Sequence, residues 1–195
     1  MSNIKPAIIA ICGAAASGKD TLLNALAPRL GATRIVSDTT RPPREGEEDG
    51  VSYNFITENE FDKRIVWGQY LELSRFRGWL YGTSKNAVCG KINIGVFNMD
   101  GIFSLMDYKD KYNIIPIYLQ TSPITRIKRY IKRDKRFTFE CVRRFFTDLK
   151  QFYAADIYIS MAYPQYLVLK NFSTTKDLEK LTQYLVQDVL SDYYH

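Results

Sequence analysis

The chain has 195 residues, 46% of them hydrophobic, with 27 Lys or Arg against 21 Asp or Glu and a formal charge of +6. That length builds one substantial core rather than two. Three cysteines, Cys12, Cys89 and Cys141, suit neither a disulfide framework nor a zinc site, and no stretch reaches the roughly 20 apolar residues that span a bilayer, so one soluble, cytoplasmic unit with reduced thiols is expected. In chain order, residues 6–12, PAIIAIC, form an apolar run ending at a glycine, and TLLNALAPRL follows with leucines at helical spacing, which predicts strand, loop and helix. Lys5 before the run from Ala7 to Ala16 superficially resembles a secretory leader, but one basic residue precedes it and a phosphate-loop pattern overlaps it. Further buried strands are expected at 32–36, 92–99, 113–119 and 166–170, between helices at 122–133, 138–153 and 175–190. In the last helix Leu178, Leu181, Leu185 and Val189 share a face, and Thr174 with Asp177 reads as its cap. Alternating strands and helices predict a parallel sheet covered on both sides.

Two segments stand apart. From Ser37 to about Val88 the chain is rich in turns, tyrosines and charges, with a short helix capped by Thr57 and Glu60 ahead of Phe61 and Ile65, and reads as an insertion from the core sheet. Over residues 126–144 nine Lys or Arg face two acids, leaving 18 basic and 19 acidic residues elsewhere. A solvated helix face, a nucleic-acid patch and a lid closing over phosphate all fit that composition.

The stretch GAAASGKDT comprises Gly13, Ala14, Ala15, Ala16, Ser17, Gly18, Lys19, Asp20 and Thr21. A tight turn between a strand and a helix aims backbone N–H groups and the positive helix end at one spot, as phosphate oxygens require, and Lys19 reaches the outer phosphates. The consensus G-x-x-x-x-G-K-[ST] puts a hydroxyl on magnesium. Here Asp20 takes that position, and a carboxylate oxygen is a good ligand for a hard cation. Asp20 is thus the expected metal residue of an ATP site, with Mg2+ as cofactor.

VSDTTRPPREGEEDGVSYNF, residues 36–55, carries Arg41 and Arg44 around a rigid Pro-Pro pair, which suits bidentate capture of a phosphate, with a hydroxyl from Tyr53. Ser37, Thr39, Thr40, Arg41, Pro43, Arg44, Gly46, Glu47, Gly50, Tyr53 and Phe55 stand in register with S-x-T-T-R-x-P-R-x-G-E-x-x-G-x-x-Y-x-F. That is the monophosphate-binding signature of the guanylate kinases, which this chain resembles. YLELSRFRGWLYGTS, residues 70–84, is similar to the family's next block through Glu72, Tyr81, Gly82 and Thr83, and VFNMDG, residues 96–101, puts Asp100 at a family guanine contact.

The resemblance implies an α/β P-loop NTPase fold of three layers around a parallel central sheet. It implies a core of 1–36, 89–125 and 154–195, an inserted NMP-binding subdomain at 37–88 and a helical lid at 126–153. It also implies that ATP phosphorylates GMP or dGMP, held by Ser37, Arg41, Arg44, Glu47, Tyr53, Glu72, Tyr81, Thr83 and Asp100. Lys19 and the lid arginines Arg133 and Arg144 would stabilise the transferring phosphoryl group, with Arg136 a nearby candidate. Guanine's N1–H and 2-amino group are adjacent donors for a carboxylate, whereas adenine lacks both, so Glu72 and Asp100 are expected to select the base. Asn98, where the family commonly has a carboxylate, weakens a metal role on that strand. The expected partners are small nucleotides, with no nucleic acid and no membrane, for a monomer or homodimer. Two alternatives remain: a kinase of another small phosphate, such as a ribose bisphosphate or another nucleoside monophosphate, and a non-catalytic module that binds phosphorylated proteins. The first predicts no guanine-reading carboxylates, and the second usually lacks the phosphate loop.

Overall fold

The computed structural model describes residues 4–76, 78–134, 163, 166–170, 172 and 175–194. Its main sheet holds strands β1 (Ala7–Gly13), β2 (Thr33–Arg34), β7 (Ile92–Val96), β8 (Asn113–Gln120) and β9 (Leu167–Lys170), in the order β2-β7-β1-β8-β9 and parallel throughout. Every residue of β1 is buried. Because side chains alternate across a strand, Ile9 and Ile11 face one layer and Ile8, Ala10 and Cys12 the other. The unbroken apolar run in the sequence is the signature of a strand covered on both faces, and each buried isoleucine contributes about 2 kcal/mol.

On the first face, helices α1 (Lys19–Arg29) and α5 (Thr175–Tyr184) pack Leu22, Leu26, Leu178 and Leu181 against Ile9, Ile94 and Ile117, with Leu185 following in a π-helical turn, Leu185–Val189. On the second face lies α3 (Met99–Leu105), whose Met99, Ile102 and Leu105 meet Ile8, Ile114 and Tyr118. Tyr163 joins this layer and donates from its hydroxyl to the Ile102 carbonyl at 2.8 Å. The helix expected at 138–153 and the Thr174 cap lie outside the described residues. The strand expected over 92–99 ends earlier because the Asn98 side chain accepts from the Gly101 amide at 2.7 Å and caps α3.

A second sheet contains β3 (Asp38–Thr39), β4 (Asn54–Phe55), β5 (Tyr70–Phe76) and β6 (Trp79–Ser84) in the order β4-β3-β6-β5. Helix α2 (Glu58–Val66) is started by Thr57, which accepts from the Glu60 amide. Phe61 is fully buried and stacks on Tyr70 at 4.7 Å between ring centroids, whereas Ile65, read as its apolar partner, is 39% exposed.

This small layer turns on Asp38, which has no solvent exposure. Its carboxylate accepts from Arg64 Nη1 at 2.6 Å, the Tyr70 hydroxyl at 2.8 Å and Asn54 Nδ2 at 2.8 Å, joining α2, β5 and β4 to β3. Removing one member of a buried, hydrogen-bonded charge pair strands the other groups. Asp38→Ala is therefore expected to lower unfolding stability by about 3 kcal/mol, read as a shift in the urea midpoint.

Candidate active site

The phosphate loop leaves the end of β1, the strand flanked by β7 and β8, and closes at the first residue of α1. Gly13 is required twice over: its φ is +150°, and a Cβ there would lie 2.8 Å from the Leu119 carbonyl oxygen. Ala16 has φ 60°, a left-handed conformation costing an alanine about 1–2 kcal/mol. Lys19 Nζ folds back onto the Gly13 and Ala14 carbonyls at 2.9 and 3.1 Å. The Ser17 hydroxyl is buried and has no hydrogen-bond partner among the described residues, a donor that suits a phosphate oxygen.

Asp20 is exposed in the first turn of α1, near enough to the insertion for its charge to act on Tyr53. Burial first, and the Asp20 charge next, push the Tyr53 hydroxyl up to about 12. No group of three or more metal-ligating side chains occurs among the described residues. A magnesium ion held by one carboxylate and by substrate phosphates needs no such group, so the single Asp20 carboxylate beside Lys19 fits this mode of holding the ion.

The Arg41 guanidinium is buried in a two-point ion pair with Glu47, Nη1 to Oε2 at 2.9 Å and Nη2 to Oε1 at 3.0 Å. It lies over the rings of Tyr53 and Phe55 at 5.5 and 5.7 Å, and the Tyr81 ring meets Tyr53 edge-on at 5.9 Å. Burial works against the Arg41 charge, yet Glu47 more than offsets it and raises the pKa, with a smaller contribution from Tyr81. Burial also works against the Glu47 carboxylate, but Arg41 and the Arg44 amide hold it below its usual range. Glu47 Oε2 accepts that amide at 2.8 Å, so Glu47 fixes the turn and aims Arg41, while the Arg44 side chain stays half exposed. In this geometry both Glu47 oxygens are engaged within the turn, by Arg41 and by the Arg44 amide.

Glu72 sits where the pairing of β5 with β6 slips by a residue between Tyr70 and Glu72, a bulge that turns its carboxylate inward. Its Oε1 accepts from the Thr83 hydroxyl at 2.8 Å, and Thr83 shares a 2.9 Å bond with the Ser37 hydroxyl. Burial, with the neighbouring Asp100 charge, pushes Glu72 up to about 7 against the opposing pull of Thr83. A Cβ on Gly101 would meet Glu72 Oε2 at 2.8 Å, so α3 packs closely against this carboxylate at that glycine. Asp100 is exposed in the first turn of α3. Asn98 Nδ2 donates to the Ser74 hydroxyl at 2.7 Å, tying that turn to β5. Asn98 therefore orients the Asp100 turn, a role signalled by an Asn just ahead of a helix.

Two arginines of the basic run, Arg126 and Arg129, fit a solvated face and a lid equally well by composition. Pro123 opens α4 (Pro123–Asp134), where Ser122 Oγ accepts the Thr125 amide. From this helix Arg126 donates to the Ala15 carbonyl at 2.9 Å and Arg129 to the Ser17 carbonyl at 2.6 Å. The basic run is therefore not a wholly solvated face. Arg133 falls in the last turn of α4 and by helical spacing follows Arg129, while Arg136 and Arg144 lie outside the described residues. Trp67 and Trp79 are 68% and 37% exposed.

A family model described as guanylate kinase matches residues 5–135. The guanylate kinase of Thermotoga maritima is 38% identical over 136 residues, 67% of this chain and 65% of that protein. The guanylate kinase of Alkalilimnicola ehrlichii is 44% identical over 80 residues, 40% of this chain and 39% of that protein. The match thus spans less than two thirds of the length of either relative. The crystal structure of guanylate kinase from Anaplasma phagocytophilum superposes with a TM-score of 0.64 at 24% identity, over 95% of this chain and 87% of that chain, a likeness of fold.

Proposed function

This chain belongs to the guanylate kinase family, and from that premise we propose that it transfers the γ-phosphoryl group of ATP to GMP or dGMP, giving the nucleoside diphosphate and ADP. The observation that carries the reading is the buried, Thr83-bound Glu72 carboxylate on a chain that also folds a phosphate loop around its lysine. Glu72 accepts guanine N1–H and the 2-amino group, Asp100 adds a second acceptor, the Thr83 hydroxyl stays on Glu72, and the Ser37 hydroxyl, once it leaves Thr83, donates to O6 or N7. Arg41, Arg44, Tyr53 and Tyr81 hold the acceptor phosphate, with Glu47 aiming Arg41. Lys19 leaves the loop carbonyls for the outer phosphates of ATP. An oxygen of the GMP phosphate attacks the γ-phosphorus as its bond to the bridging oxygen breaks, and ADP departs with that oxygen. Because the nucleophile is already anionic, no general base is required, and Arg133 and Arg144 complete the charge neutralisation.

Asp20 would hold a magnesium ion, which would supply charge neutralisation at the ATP phosphates. Asp20→Ala is expected to raise the magnesium concentration for half-maximal rate about tenfold, measured by titrating the metal at saturating nucleotides. In the proposed division the insert 37–88 carries the acceptor, the lid 126–153 the arginines, and the core 1–36, 89–125 and 154–195 the donor. The enzyme is read as a cytoplasmic monomer or homodimer. A coupled assay with ATP and a panel of GMP, dGMP, AMP, CMP, UMP and ribose 1,5-bisphosphate tests the reading. Turnover confined to guanylates is expected. Preference for another acceptor, or turnover of none, would overturn it.

A further inference from the structure

Arg126 is 8% exposed, and its Nε donates to the Ala15 carbonyl at 2.9 Å, a contact between residues 111 apart in sequence. One turn further along α4, Arg129 Nη1 reaches the Ser17 carbonyl at 2.6 Å, where the Thr121 hydroxyl also donates at 3.0 Å. Between these two anchored carbonyls stands Ala16 with φ 60°. In a trans peptide the carbonyl and the following N–H point in opposite directions. Drawing the Ala15 carbonyl towards α4 therefore turns the Ala16 N–H away from that helix, and the Ser17 carbonyl does the same for the Gly18 N–H. These amides belong to the loop that receives phosphate oxygens. Glycine would adopt the left-handed conformation freely, whereas alanine resists it, so this loop needs an outside anchor for the peptide ahead of Ala16.

We propose that Arg126 is a positioning residue for the donor nucleotide: it holds the Ala15–Ala16 peptide so that the Ala16 amide is presented to phosphate, and it acts through the loop without touching ATP. The inference rests on the loop being the ATP site. It assigns work to a side chain in a basic run whose composition fits a solvated face equally well.

Titration calorimetry on the full chain, with ATP and GMP in separate experiments, tests it without requiring turnover. Arg126→Leu is expected to weaken ATP binding about tenfold and to leave GMP binding within about twofold. Adding Ala16→Gly to Arg126→Leu is expected to recover most of the lost ATP affinity, because glycine takes the left-handed turn without the anchor. Arg126→Lys, which keeps a donor, tests rescue should the leucine variant fail to fold, and is expected to bind ATP within about threefold of the parent. Equal weakening of ATP and GMP, unchanged ATP affinity in Arg126→Leu, or no recovery by Ala16→Gly would overturn the proposal. A parent chain that binds no ATP would overturn it together with the proposed function, whereas ATP binding with no guanylate turnover would remove the proposed function and leave the role of Arg126 standing.

Discussion

Lys19→Met is expected to lower kcat about a thousandfold while leaving the chain folded. The side chain crosses the mouth of the loop, and its ammonium is bonded to the Gly13 and Ala14 carbonyls at 2.9 and 3.1 Å. Those two acceptors hold the lysine folded back onto the loop, so the cation is already at the loop when phosphate arrives. Methionine keeps the apolar stem and removes the charge. The folded state then loses two hydrogen bonds of a part-buried group, about 1–2 kcal/mol together, while the transition state loses a cation at the migrating phosphoryl group, about 4 kcal/mol for a thousandfold change. Single-turnover kinetics at saturating ATP and GMP, beside a thermal melt, separate the two. A thousandfold loss with a small drop in Tm is the expected pair of results, and a fall in kcat under tenfold would remove Lys19 from the phosphoryl site.

Glu72→Gln is expected to lower kcat/KM for GMP about a thousandfold while stabilising the fold at alkaline pH. The amide keeps an oxygen for the Thr83 hydroxyl, so the local bond survives. The second carboxylate oxygen becomes an NH2 facing the donors of guanine, and one acceptor turns into a donor with no partner. Burial first, and Asp100 second, raise Glu72 from its usual 4.5 to about 7. A raised carboxyl pKa means that the folded state binds the proton more tightly than the unfolded chain. The resulting stabilisation is complete below about pH 4.5 and is lost as pH rises through about 7. The ionised, guanine-accepting form is therefore the less stable one, and glutamine, neutral at every pH, avoids that loss. Glu72→Gln should raise Tm by about 3 °C or more at pH 8 and by little at pH 5. By the same sign, GMP affinity of the parent should fall as pH drops below about 7, because the proton occupies the acceptor. A pH-independent Tm difference would contradict this account of Glu72.

Much of this site lies in contiguous segments, which is why it was legible. The loop from Gly13 to Thr21 is one turn between a strand and a helix, and Arg41, Arg44 and Tyr53 fall within 13 residues of one another. The core strand was equally plain, because a strand covered on both sides needs an unbroken apolar run such as AIIAIC. What escaped depends on contacts between distant segments. Arg126 and Arg129 meet the loop from more than 100 residues away, and a helix with nine positive charges in and beyond it reads as solvated until its docking face is known. Asp38 is one polar residue among several in SDTTR, and its burial rests on Arg64 and Tyr70 arriving from two other elements. Glu47 was grouped with the ligand-binding residues because it lies within their signature, yet its oxygens are taken up by Arg41 and the Arg44 amide. Asn98 was compared with a missing carboxylate, when its place just before α3 pointed to a helix cap.

Glu72 links these strands of the account, because one buried carboxylate is asked to select the base and to bear a cost in stability. The most direct measurement is titration calorimetry of the parent chain at pH 8 with GMP and with AMP, repeated for Glu72→Gln. The parent is expected to bind GMP at least about a hundredfold more tightly than AMP, and the substitution to remove most of that preference. AMP binding as tightly as GMP, or a preference that survives the loss of the carboxylate, would contradict this role of Glu72.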